Sequence, residues 1–172
     1  IREPIAFHAE RDKRKDAVVA VLKKIQVAQD VYRMVTGKYA ANFDSLSSVL
    51  KNGKIEVAKL EADPTDPTNQ DKFVKTVSYT PAKDSLFSIL NQSINVDSLR
   101  YIPFAGGKTF EIDADTLTHQ GSLVNVVKVG TKYKEFMGEF ANPTYKKYDK
   151  FYDPEKMIQF GDMNSPNTNG NW

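Results

Sequence analysis

The chain has 172 residues, with 24 Lys and Arg against 22 Asp and Glu, a formal net charge of +2, and no cysteine. That length suits one domain with its own core plus some appendages. So small a net charge gives no ground for a nucleic-acid or anionic-membrane partner, and the lack of cysteine excludes disulfides, thiol nucleophiles and thiolate zinc sites.

Residues 1 to 9, IREPIAFHA, read as a lead-in, with Pro4 tolerated near a helix start. The pattern predicts a helix from Glu10 to Thr36. Val18, Val21, Leu22, Ile25, Ala28, Tyr32 and Val35 recur at three- and four-residue steps and define one buried stripe. Lys23, Lys24, Asp30 and Arg33 fall mostly off it. Gly37 follows where a left-handed cap would close the helix. The stretch Glu10 to Asp16, ERDKRKD, has no apolar face and is expected to project from the body. The chain therefore divides into 1–16, a charged lead-in and projecting start of the helix, and 17–172, a single globular domain that includes the packed part of the helix.

Phe43, Leu46, Val49 and Leu50 predict a short second helix closed by Asn52-Gly53. Residues 62 to 72, with two prolines among Asp, Thr and Asn, predict a loop. Phe73 to Tyr79 alternates as a strand that Pro81 stops, and Asp84 to Leu90 reads as a helical turn. Leu99 to Phe104 and Thr109 to Ile112 flank Ala105-Gly106-Gly107-Lys108, a hairpin signal. The β-branched run Leu123 to Val129 is expected to pair with that hairpin. Tyr133, Phe136, Met137 and Phe140 suggest a short helix ended by Asn142-Pro143, and Met157 to Phe160 a last strand. The fold class is α+β: a long N-terminal helix packed on a small antiparallel sheet, with additional short helices.

Residues 25 to 46, IQVAQDVYRMVTGKYAANFDSL, carry a more specific pattern: Ala28-Gln29, then Tyr32, then the turn Gly37-Lys38-Tyr39, then a short helix around Leu46. In this it resembles bacterial type IV pilins and type II secretion pseudopilins. Ala28 is small enough for close sheet approach, Gly37 ends the helix, and Tyr39 can fold back over the core. The ending Gly170-Asn171-Trp172 is similar to the close of major pseudopilins. Over its whole length, through Ile102-Pro103-Phe104 and Gly170-Asn171-Trp172, the chain also resembles a group of bacterial single-span membrane-anchored proteins of unassigned function. The resemblance implies a pilin-like fold and a membrane segment upstream of Ile1. It implies a periplasmic or extracellular position in the cell envelope, with self-assembly or other envelope proteins as partners. The function so implied is non-enzymatic: a subunit or accessory of a pilus-like or secretion assembly. The alternatives are an outward-facing ligand-binding or sensory domain on a helical stalk and, third, a carboxylate-dependent hydrolase.

Several groups invite chemistry, each with a plainer reading beside it. Asp63, Asp66, Asn69 and Asp71 gather oxygen ligands in one loop, but the EF-hand spacing is absent and Pro-Asp turns explain the same letters. Glu111, Asp113 and Asp115 alternate and would share one strand face, either as acid, base or metal ligands or as a solvated hairpin face. The C-terminal loop holds Asp162, Asn164, Ser165, Asn167, Asn169 and Asn171. Pseudopilins bind calcium in this region, which by resemblance makes Asp162 the metal-ligand candidate, yet it is the only carboxylate there. No other cofactor is expected. His8 and His119 are the only histidines and lack metal or triad spacing. Residues 131 to 152 interleave lysines with aromatics, a single-strand-binding composition that acidic residues dilute and that helix packing accounts for equally well. Trp172 is expected to fold onto the domain.

Overall fold

Helix α1 runs from Arg2 to Thr36, 35 residues, about 52 Å at 1.5 Å per residue. Pro4 lies in the first turn, where a missing N–H costs nothing, and no other proline or glycine precedes Gly37. Gly37 adopts φ +84° and its N–H bonds the Arg33 carbonyl at 2.7 Å, the left-handed ending that a side chain would strain. The computed structural model describes residues 2–62 and 73–172. The predicted acidic loop with Asp63, Asp66, Asn69 and Asp71 lies outside the described residues.

The expectation that residues 1–16 form a lead-in and a projecting start is corrected. The helix begins at Arg2 rather than Glu10, and Phe7 is fully buried in the same core as Val18, Leu22, Ile25 and Ala28. The stripe runs 7, 11, 14, 18, 22, 25, 29, 32, an unbroken helical period. Its positions 11 and 14 are arginines whose side chains are each only 20% exposed. Arg11 pairs with Asp149, and its guanidinium sits 5.7 Å from the Phe7 ring centre. Arg14 donates to the Phe136 carbonyl at 2.8 Å and to Glu10 at 3.0 Å. Long apolar stems cover the body while the charged heads find partners, so a segment without aliphatic residues still packs.

Helix α2, Phe43–Asn52, is capped by Asn42, whose Oδ1 accepts the Ser45 N–H, and it buries Phe43, Leu46, Ser47 and Leu50 on one face. Strands β1, Lys54–Ala62, and β2, Phe73–Pro81, pair antiparallel from Lys54↔Pro81 onward. The Ala82 N–H closes the foot of this hairpin on the Gly53 carbonyl at 2.9 Å. Helix α3, Ala82–Leu90, follows without a break. Tyr101 and Thr109 then bridge a small predicted hairpin.

The second sheet is three-stranded, in the order β3-β4-β5. Strand β3 spans Glu111–His119, β4 Ser122–Lys132 and β5 Met157–Asp162. The link between β3 and β4 is a two-residue turn, Gln120 at φ +51° and Gly121 at φ +82°, the geometry that matches strand twist. Val127 and Val129 of β4, with Ile158 and Phe160 of β5, share one core with α1. At Gly161, φ +89°, a Cβ would stand 1.9 Å from the Val127 carbonyl, so glycine alone fits beside β4. Between β4 and β5 lie the helical turn α4, Lys134–Met137, and two 3₁₀ turns, Gly138–Ala141 and Pro143–Tyr148. The fold is α+β, a long N-terminal helix on a small antiparallel sheet with short helices, as the sequence predicts. A separate two-stranded sheet is added to it.

Candidate functional site

At the foot of the β1–β2 hairpin, α2, α3 and the loop after α3 enclose a groove of about 420 Å³, within the range of small-molecule sites. Its floor is Leu50 from α2 and Leu86 from α3, both buried. Phe87, half exposed, lines it together with Ile94 and Val96. The local chain dictates this. Asn91 ends α3 in the left-handed conformation, φ +54°, a geometry Asn tolerates, and turns residues 92–96 back beside α2. Asn95 then holds the turn Val96–Ser98: its Oδ1 accepts the Asp97 N–H at 3.0 Å, and its carbonyl accepts the Ser98 hydroxyl at 2.8 Å. The ion pair of Lys51 with Asp97 fastens this loop to α2. Lys83, Gln92 and Ser93 complete the rim.

The groups that the sequence singles out lie elsewhere. Glu111, Asp113 and Asp115 do share one face of β3, and all three are exposed. Glu111 lines a shallow cleft with Lys132 and Glu135, and Glu111 and Asp113 line another with Lys128. Asp113 accepts the Ala114 N–H at 2.9 Å and Asp115 the Thr116 N–H at 2.8 Å. On an edge strand such carboxylates occupy backbone donors that would otherwise invite another strand.

Asp162 receives the Asn164 N–H at 2.8 Å on one oxygen and the Ser165 hydroxyl at 3.2 Å on the other. Asn167 accepts the Asn169 N–H at 2.9 Å. The polar tail is thus a run of side-chain-closed turns. Calcium takes six to eight oxygens, and Asp162 is the only acidic side chain of this tail. Among the described residues no three His, Cys, Asp or Glu side chains gather as a metal site.

The end of the tail has another task. Phe160 and Gly170 bridge, the Asn171 N–H bonds the Gln159 carbonyl at 3.0 Å, and the Asn171 carboxamide donates to the Met157 carbonyl at 3.0 Å. Gly170-Asn171 therefore lies along the free edge of β5. Trp172 packs against the core, and Gly170 leaves room for its ring, which a Cβ would meet at 2.3 Å.

No protein-family model, curated protein or solved structure matches this chain.

The lysine- and aromatic-rich stretch 131–152 turns inward rather than presenting a stacking surface. Phe7 stacks on Tyr145 at 5.3 Å and meets Tyr152 edge-on at 5.1 Å. The Tyr152 hydroxyl donates to the Phe140 carbonyl at 2.7 Å, and burial raises its pKa to about 12. The predicted single helix is broken into short turns because Gly138 sits at φ +58° and Pro143 starts afresh. Lys132 and Lys134 both donate to Glu155, at 3.0 and 2.9 Å; those hydrogen bonds hold the Glu155 carboxyl below its usual range. His8 lies edge-on to Phe7, 5.5 Å between ring centres, while His119 sits at the end of β3 beside the turn.

Residues 25–46 form one local unit. Gln29 is 1% exposed, and its carboxamide takes both backbone groups of Ala40: Nε2 donates to the carbonyl at 3.0 Å and Oε1 accepts the N–H at 2.8 Å. Arg33 lies over the Tyr39 ring at 5.5 Å, and burial raises the Tyr39 pKa. The turn 37–42 is therefore fastened to the helix it leaves. The pattern Ala28-Gln29 names Gln29 without revealing that it is the most buried polar side chain among the described residues of α1. The α2–α3 groove is hidden in the sequence, since the loop N-Q-S-I-N-V-D-S reads as plain turn; Ile94 and Val96 alternating with Asn95 are the available signal.

Proposed function

We propose that this chain is the outward-facing domain of a membrane-anchored envelope protein, a non-enzymatic, pilin-like subunit or accessory of a pilus-like or secretion assembly. The observation that carries the reading is the long α1, which shares one core with the antiparallel sheet β3-β4-β5 and ends in the Gly37 cap with the Gln29–Ala40 clamp. These are the residues of the pilin resemblance, joined in one unit. Among the described residues no helix is long and apolar enough to cross a membrane, so anchoring on this reading belongs to a segment outside them. The exposed side of α1, with Asp12, Asp16 and Lys23, offers both charge signs to neighbouring subunits, each exposed pair worth about 0–1 kcal/mol.

The test is made in the bacterial host with the protein in its native genetic context. On this reading it sediments with membranes and is digested by protease added outside the inner membrane. Recovery in the soluble cytoplasm, protected from protease, would refute it. Because these 172 residues hold no cysteine, disulfide-linked dimers of Asp16→Cys and Lys23→Cys that the parent protein does not form report contact between copies. A second reading, a ligand-binding or sensory domain, is favoured by one observation, the groove between α2 and α3.

A further inference from the structure

We infer that the groove between α2, α3 and residues 92–96 is a binding site for a small amphipathic carboxylate, an acid with an aliphatic tail. The groove is lined by both apolar and polar side chains. Leu50, Leu86, Ile94 and Val96 offer a floor for a chain, and the half-exposed Phe87 lies where a bound chain would be covered. A volume of about 420 Å³ accepts a medium-length tail.

The charge at the rim selects the head group. Lys51 is committed to Asp97, so that pair adds no net charge. Lys83 is exposed and, among the described residues, its ammonium has no hydrogen-bond or ion-pair partner, and the side chains of Gln92 and Ser93 have none either. One unneutralised cation with an amide and a hydroxyl beside an apolar floor matches a carboxylate with two acceptor oxygens. Asp84, next to Lys83 in the first turn of α3, does not line the groove and opposes a dianion more than a monoanion. A neutral apolar ligand would leave Lys83 unused, and a cation would be repelled by it.

The position gives binding a consequence. The groove joins α2, which leads into β1, with α3, which follows β2, and the two are tied at the Gly53–Ala82 hydrogen bond. A ligand seated between them bears directly on the foot of the hairpin. The inference holds wherever the protein resides and does not depend on its being an envelope subunit.

The experiment is a titration of the folded, isotope-labelled chain with octanoate and, separately, octanol, followed by amide chemical shifts. Saturable shifts confined to residues 50–53 and 82–97 are expected with octanoate. Lys83→Ala should weaken octanoate about three- to fivefold, the worth of one exposed ion pair, and leave octanol unchanged. Phe87→Ala, at a half-exposed position that the fold does not need, should weaken both. No shift at millimolar octanoate, shifts centred elsewhere, or equal affinity for octanol and octanoate would each overturn the assignment.

Discussion

Replacing Gln29 by glutamate keeps the size of the side chain and changes one atom's role. In the native chain Nε2 donates to the Ala40 carbonyl and Oε1 accepts the Ala40 N–H, and both residues are almost wholly excluded from water. Ionised, the new side chain would aim a carboxylate oxygen at that carbonyl in a dry site. Protonated, it restores both bonds, its O–H donating to the carbonyl. The folded state therefore raises the pKa of the introduced carboxyl above the unfolded value of about 4.3. A group raised in this way contributes its full stability below the unfolded pKa and loses it as pH climbs through the folded pKa. Holding the proton at pH 7 costs up to about 3.7 kcal/mol, or a fall in Tm of about 7–15 °C for a chain of this size. Melts followed by circular dichroism should therefore find Gln29→Glu close to wild type near pH 4 and progressively weaker toward pH 7. Gln29→Ala, which orphans both backbone groups, should lose about 2–5 kcal/mol at every pH. A Gln29→Glu deficit below about 1 kcal/mol at pH 7, or one independent of pH, would refute the clamp.

Phe7→Ala should cost about 3–5 kcal/mol in urea unfolding; a free, projecting helix start would make it nearly silent. Tyr152→Phe removes the donor to the Phe140 carbonyl and should cost about 1–1.5 kcal/mol. With its pKa raised to about 12 by burial, Tyr152 lends stability that is complete below about pH 10 and lost as pH rises to about 12, which phenolate absorbance follows as a late-titrating tyrosine that Tyr152→Phe deletes. Gly170→Ala places a methyl 2.3 Å from the Trp172 ring, so the emission of this sole tryptophan should shift to the red as the tail leaves β5, with the remainder of the fold intact by far-ultraviolet circular dichroism.

Much of the fold is legible in the sequence where one residue type has one local use. Gly37 stops α1, Asn42 starts α2, Pro81 stops β2, and the alternation Ile112, Ala114 against Asp113, Asp115 marks β3. β1 is not legible, because Ile55-Glu56-Val57-Ala58-Lys59-Leu60 mixes helix formers with strand formers and takes its state from pairing with β2. The candidate site is less legible still. Its floor is spelled in α2 and α3, but the loop that closes it owes its path to Asn91, Asn95 and the Lys51–Asp97 pair.

The long helix shows where the division falls. Period and capping set the helix from about Val18 to Thr36, since apolar spacing and a glycine act on neighbours in the chain. Whether Arg11 and Arg14 belong to the buried stripe depends on Asp149 and the Phe136 carbonyl, more than a hundred residues away. The acidic row on β3 and the Asn-rich tail instead use side-chain oxygens on backbone donors one or two residues away. Sequence determines what a residue can do with its neighbours; the tertiary fold decides which of its capacities is already used.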